Sequence, residues 1–157
     1  MIILRFVTCN DAVSGGIRFA EYGFWASHVE TLTPEDKLLG AHFDGGVQAR
    51  ERDYDKGKFY KEQYINLPAS PEVTAAFYTW NALQVGKPYD LTAIAAFVAR
   101  RDWRETDSWF CSELMAAGLE TVKYFPFALA TEVSHVMPRD LLLILSSGID
   151  VTKLGVS

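Results

Sequence analysis

Two cysteines, Cys9 and Cys111, are the whole thiol content of this 157-residue chain. They are too few for a multi-bridge disulfide framework. The N-terminal MIILRFVTCN also lacks the charged start and cleavage pattern of a secretory signal. Both cysteines are therefore expected to be reduced thiols in a protein that is cytoplasmic as encoded. No apolar run approaches the ~18 residues of a membrane span, so a transmembrane segment is not expected. Cationic excess is missing too: 15 Lys and Arg face 20 Asp and Glu, a net charge of -5. Without a basic patch to release phosphate counterions, nucleic acid is not an expected partner. Internal repeats and low-complexity linkers are absent.

What is present is apolar mass. Hydrophobic residues make up 49% of the chain and aromatics 13%, more than a chain that stays disordered contains. The length suits one domain, 1–157, with a real core.

Local patterns give an α+β order. Ile2 to Thr8 reads as a buried strand. Val13 to Tyr22 has helical spacing, with Asp11 or Ser14 available as cap. Ser27 to Thr33 and Lys37 to Phe43 read as strands flanking the turn residues Pro34-Glu35-Asp36, and Asp44-Gly45-Gly46 leads into Val47 to Arg50. Glu51 to Lys58 is a charged loop, and Tyr60 to Leu67 alternates like a half-buried strand. Pro71, after Ser70, opens a helix that runs to about Gln84. Further helices are expected at Leu91 to Arg100, Cys111 to Val122 and Pro138 to Ser146.

The stretch TDSWFCSELMAAGLE, Thr106 to Glu120, combines polar capping residues, two aromatics and a cysteine at the start of an amphipathic helix. A helix N-terminus carries unpaired N–H groups and a partial positive charge. Such a position stabilises a thiolate, and the same N–H groups can hold the oxyanion formed when sulfur attacks a carbonyl. The plainer reading makes Cys111 a small apolar residue packed beside Leu114 and Met115.

A thiol nucleophile needs a base, and the chain has three histidines: His28, His42 and His135. If Pro34 to Asp36 form a three-residue loop closed by Thr33 and Lys37, His28 faces His42 and Glu30 faces Gly40. Side-chain alternation then places His28, Glu30, Gly40 and His42 on one sheet face. His135 reads as a surface or capping residue, and Cys9 as packing. A zinc site from His28, His42 and Cys111 has suitable ligand types but no CxxC or HxxxH spacing. No metal or cofactor is expected.

The motifs SHVE at Ser27, LLGAHFDGGV at Leu38, GKPYD at Gly86 and WFCSEL at Trp109 resemble, in that order and spacing, those of a known family. It is the papain-like thiol hydrolases of the NlpC type, in the circularly permuted form shared with lecithin retinol acyltransferase-like proteins. The resemblance spans roughly Ser14 to Leu145. It implies a papain-like fold in which an antiparallel sheet packs against helices, with Cys111 as nucleophile and His28 as general base. Many permuted relatives carry an acid on the second strand where this chain has Gly40. Glu30, across the hairpin, is the candidate to orient His28, and His42 is the competitor. Tyr89, Trp25 and Trp109 are candidate substrate-binding residues, Tyr89 by donating to the oxyanion.

The expected activity is that of a cysteine peptidase or amidase acting through a thioester on a peptide, amide or acyl substrate, such as a cell-wall peptide. Reaching the cell wall without an export signal implies phage-type delivery, as a virion-associated protein, or release at lysis. Two other readings stay open. One is a lipid-directed acyltransferase or thioesterase with an apolar groove lined by Phe24, Trp25 and Phe97. The other is a non-catalytic phage accessory module whose aromatics, Phe19 and Tyr22 among them, form an interface. Oligomeric state is not written in the sequence.

Overall fold

The computed structural model describes residues 1–90 and 108–146. The helix expected at Leu91 to Arg100, with Phe97, lies outside the described residues. Among the described residues, five strands and four helices form an α+β structure. Strand β1 (Ile2–Cys9) leads into α1 (Ala12–Ala20), then β2 (His28–Leu32), β3 (Lys37–His42), β4 (Gly46–Glu51) and β5 (Phe59–Leu67). Helices α2 (Pro71–Ala82) and α3 (Cys111–Thr121) follow, then a 3-10 turn (Val133–His135) and α4 (Pro138–Ser146).

Local chemistry accounts for most of these boundaries. The Asp11 carboxylate accepts the Ser14 N–H at 2.8 Å and caps α1. Ser70 does the same for α2 through the Val73 N–H, with Pro71 in the first turn. Between β2 and β3, Thr33 and Lys37 close the loop through a backbone hydrogen bond of 2.8 Å. Asp36, at φ 59°, takes the left-handed conformation that such a loop requires of its last residue.

The sheet is antiparallel throughout, in the order β4-β3-β2-β1-β5. The strand nearest the N-terminus therefore lies between β2 and β5, a partnership the sequence reading left unassigned. Its core face presents Ile2, Leu4 and Phe6. These join Val29, Leu39 and Ala41 in one hydrophobic core with Phe77 of α2 and Leu114, Met115 and Leu119 of α3. Each fully buried side chain of this size contributes about 1.5–3 kcal/mol.

Helix α3 differs from expectation. It is not amphipathic: every residue from Cys111 to Leu119 is buried. Strands β2 and β3, helices α2 and α4 and the 3-10 turn all pack around it, and a helix enclosed on every side has no polar face. Gly118 allows the closest approach, since a Cβ there would meet the Asn81 side chain at 2.9 Å and Phe77 at 3.0 Å. The polar residues of the first turn are satisfied internally. Ser112 Oγ donates to the Val136 carbonyl at 2.6 Å, and Glu113 accepts the Phe110 N–H at 3.3 Å. The N-cap residue is thus Phe110, whose ring has no acceptor, and the glutamate reaching back supplies the cap.

Candidate active site

The loop closure dictates a register, and that register is observed: Thr31 pairs with Leu39 and Leu32 with Leu38. Continued by alternation, it sets His28 opposite His42, and their ring centroids are 4.9 Å apart. Glu30 lies opposite Gly40, where a Cβ would stand only 2.8 Å from the Glu30 Cβ. The hairpin thus brings two imidazoles and a carboxylate together on one sheet face.

Glu30 is completely buried and anchored on its far side. Arg5, its cross-strand partner on β1, donates to Glu30 Oε1 at 2.7 Å. The same guanidinium pairs with Asp55 at 2.9 Å and Glu62 at 2.8 Å. Removing one partner from such a buried network costs about 3–5 kcal/mol, because the remaining charge is left uncompensated. The other oxygen, Oε2, accepts the Tyr54 hydroxyl at 3.2 Å and stands 3.5 Å from His28 Nε2 and 3.7 Å from His42 Nε2. These are ion-pair distances rather than formed hydrogen bonds. Both Nε2 atoms are buried without a hydrogen-bond partner.

Charge differs sharply between the two rings. Burial alone would lower the basicity of His28. Polar contact with the Cys111 thiol and with Glu30, reinforced by their charges, outweighs burial and holds the imidazolium well above the ordinary histidine range. Burial and repulsion from His28 hold His42 down to about 3, against the pull of Glu30. Burial would raise Glu30, but His28, His42 and Arg5 bring it down to about 2. The arrangement is a charged His28–Glu30 pair with a neutral His42 beside it.

Cys111 reaches this cluster as the first residue of α3, opposite the first residue of β2. Two backbone ties place that helix start. Segment Pro88–Asp90 pairs with Trp109 through Trp109 N–H to Pro88 O at 3.0 Å and Asp90 N–H to Trp109 O at 3.1 Å. The two residues before it, Gly86 and Lys87, are held to β4 by Val47 N–H to Lys87 O at 2.8 Å and Gly86 N–H to Val47 O at 2.9 Å. Together they set the Tyr89 ring 5.8 Å from Phe110. Burial, and then the neighbouring Cys111 charge, push the Tyr89 hydroxyl well above the ordinary tyrosine range, so it stays protonated.

A cavity of about 390 Å³ opens beside the cluster, lined by His28, His42, Tyr54 and Tyr89 among others. Cys111 itself is fully buried, immediately behind His28 and Tyr89. Of the residues singled out from sequence, His28, Glu30, His42, Cys111 and Tyr89 converge here. Trp25 and Trp109 do not line the cavity. The Trp109 indole N–H donates to Gln84 at 3.2 Å and its ring packs on Trp80, while Trp25 lies against Phe24 under the Lys61 ammonium. Cys9, read as packing, does line the cavity, and its thiol is raised chiefly by burial. His135 is exposed, in the 3-10 turn.

Sequence reasoning missed Arg5, Tyr54 and Asp55. One signal was available: Arg5 interrupts the otherwise apolar IILRFV, and a lone charge in a buried strand calls for a partner on its neighbour. Among the described residues, one ring nitrogen from each of His28 and His42 and one Glu30 oxygen lie within 4.8 Å of one another and could hold a metal ion. From sequence, His28, His42 and Cys111 are suitable ligand types without supporting spacing, and no metal is expected; Glu30 is not among them. No helix among the described residues is long and apolar enough to cross a membrane. No protein-family model and no curated protein matches the sequence.

Proposed function

We propose that the chain is a cysteine-dependent acyl hydrolase, a peptidase or amidase, built as a circularly permuted papain-like domain of the NlpC type. The observation that carries this reading is the meeting of Cys111, first residue of a buried helix, with His28, whose imidazolium is backed by the buried Glu30 carboxylate.

With His28 Nε2 turned to Glu30, Nδ1 is the nitrogen left for the thiol. The Nδ1 proton of the His28 imidazolium is the one Cys111 has given up, and the thiolate of that ion pair attacks the substrate carbonyl carbon. The oxyanion is held by N–H groups of the α3 first turn and by the Tyr89 hydroxyl. As the tetrahedral intermediate collapses, the C–N or C–O bond breaks and the imidazolium returns its proton to the leaving group. Water, deprotonated by the same nitrogen, then hydrolyses the thioester and releases a carboxylic acid. Glu30 positions the ring and stabilises its charge, while neutral His42 packs beside it.

His28 and Tyr89, the two residues beside Cys111, both line the cavity. The cavity lining includes Asp11, Asp44, Arg50 and Lys58. These charged groups stand beside Val13, Ile17, Ala41 and Phe43 and supply anchors for the polar ends of a peptide or amide, while Phe24 and Trp25 of the lipid reading do not line the cavity.

The test compares wild type and Cys111→Ala on peptidoglycan fragments, acyl amides and lipid esters. Turnover of peptide or amide substrates, reduced at least a thousandfold in the variant, is expected. Equal turnover by both proteins would discard the thiol mechanism. Preference for lipid esters would move the reading to the acyltransferase alternative, and no turnover alongside an inert Cys111 would favour a binding module.

A further inference from the structure

We infer that His28, Glu30 and His42 form a binding site for one divalent ion of the zinc class, and that filling it withdraws His28 from thiol chemistry. The second half rests on the acyl-hydrolase reading; the first does not.

The geometry is that of a coordination shell more than of a hydrogen-bond network. Two buried imidazole nitrogens lack partners, and each faces the same Glu30 oxygen, at 3.5 and 3.7 Å. Neither distance is that of a formed hydrogen bond, and one proton could bridge only one of the two pairs. A cation between them satisfies all three atoms at once. In a tetrahedral zinc site with metal–ligand distances of ~2.0–2.2 Å, ligand atoms are separated by about 3.4 Å. The two nitrogen–oxygen separations differ from that by a few tenths of an ångström, and all three atoms lie within 4.8 Å of one another.

The surrounding charge suits an added cation. Binding displaces the His28 proton; beyond that ring the positive group at hand is Arg5, and Glu30, Asp55 and Glu62 all pair with it, so carboxylates outnumber the guanidinium. Arg50, on the cavity wall, is engaged by Asp44. Glu30 is held as metal-binding carboxylates are, with Arg5 on one oxygen and Tyr54 on the other. Both histidines line the cavity, which gives an ion its entry path and leaves a fourth position for water. Two nitrogens and one oxygen select zinc-class ions over magnesium or calcium, which prefer oxygen alone. A metal on His28 Nε2 occupies that lone pair and leaves the ring hydrogen on Nδ1. That nitrogen then has no free lone pair to receive the Cys111 proton.

Chelator-stripped protein titrated with zinc chloride in a calorimeter, and with cobalt(II) in a spectrophotometer, tests the site. One ion per chain is expected, with the visible bands of tetrahedral cobalt and no thiolate-to-cobalt charge-transfer band. Cys111→Ala should bind within about twofold of wild type. His42→Gln and His28→Gln, checked for folding by circular dichroism, should each bind at least tenfold more weakly. One equivalent of zinc should slow iodoacetamide labelling of Cys111 at least tenfold. Absence of binding, or a charge-transfer band that disappears in Cys111→Ala, would overturn the ligand set. Binding without slower labelling would overturn the antagonism. A wild type that does not label even without zinc counts against the thiol reading, and the isotherm then decides the metal site on its own.

Discussion

Gly40 and Glu30 face each other across the β2–β3 hairpin so closely that a Cβ on the glycine would stand 2.8 Å from the glutamate Cβ. The missing side chain on one strand makes room for the carboxylate on the other. Gly40→Ala should therefore push the strands apart or tilt Glu30 away from Arg5. The expected loss is about 1–3 kcal/mol, typical of overpacking, read as a lower urea midpoint with unchanged slope. An unaltered midpoint would show that the hairpin accommodates a methyl group there.

Glu30 also predicts acid sensitivity. Its carboxyl is held near 2 in the folded chain against an ordinary value near 4.5, with His28, His42 and Arg5 overcoming burial. The charged form is thus favoured by folding. Its stabilisation is complete above about pH 4.5 and is lost as the pH falls toward 2. Glu30→Gln should remove about 3 kcal/mol at neutral pH, as expected for breaking a buried pair, and flatten the acid limb of a stability profile. A variant as acid-sensitive as wild type would place that limb elsewhere.

Glu21 has the opposite sign. Burial raises its carboxyl to about 7, although the Arg139 backbone N–H donates to it at 2.7 Å and the Arg139 charge opposes the rise. The folded chain holds a proton there that the unfolded chain has released. Stability from this group is full below about pH 4.5 and declines as the pH rises to about 7. Glu21→Gln keeps an acceptor for Arg139 and should lessen the decline, with a gain on the order of 2 kcal/mol at pH 8. Chemical denaturation at pH 5 and pH 8 measures it; equal losses in both proteins would contradict the assignment.

The roles of Glu30 and His42 separate in the labelling of Cys111. Because His28 carries the charge and His42 stays neutral, Glu30→Gln should move the pH profile of iodoacetamide labelling upward by about one pH unit. His42→Gln should move it less. Mass spectrometry should find Cys111 modified faster than Cys9 below neutral pH, although Cys9 is the more exposed thiol. If His42→Gln produces the larger movement, the orienting residue is the second histidine. If Cys9 reacts first, burial governs both thiols.

Much of this site was legible because its determinants are local. Pro34 and Asp36 fix a loop length, loop length fixes register, and register places His28, Glu30, Gly40 and His42 on one face. The Asp11 and Ser70 caps are equally short-range. What escaped was decided at long range. The insertion of β1 between β2 and β5 depends on which strands find each other, and that choice hid the Arg5–Glu30 pair. The enclosure of α3 by five neighbouring elements left no polar face for its sequence to show. Trp109 stands two residues before Cys111, yet its contacts with Gln84 and Trp80 are tertiary and turn it from the cavity.

The position of β1 also sets the order of events during synthesis. The β2–β3–β4 meander is made of near neighbours, but the Arg5–Glu62 pair spans 57 residues, and closing so long a loop is slow compared with forming a hairpin. On an emerging chain the hairpin can bring the two histidines and Glu30 together well before the guanidinium has all its counter-charges, and before Cys111 has been translated. Nascent fragments that end before residue 111 therefore carry His28, Glu30 and His42 without the Cys111 sulfur.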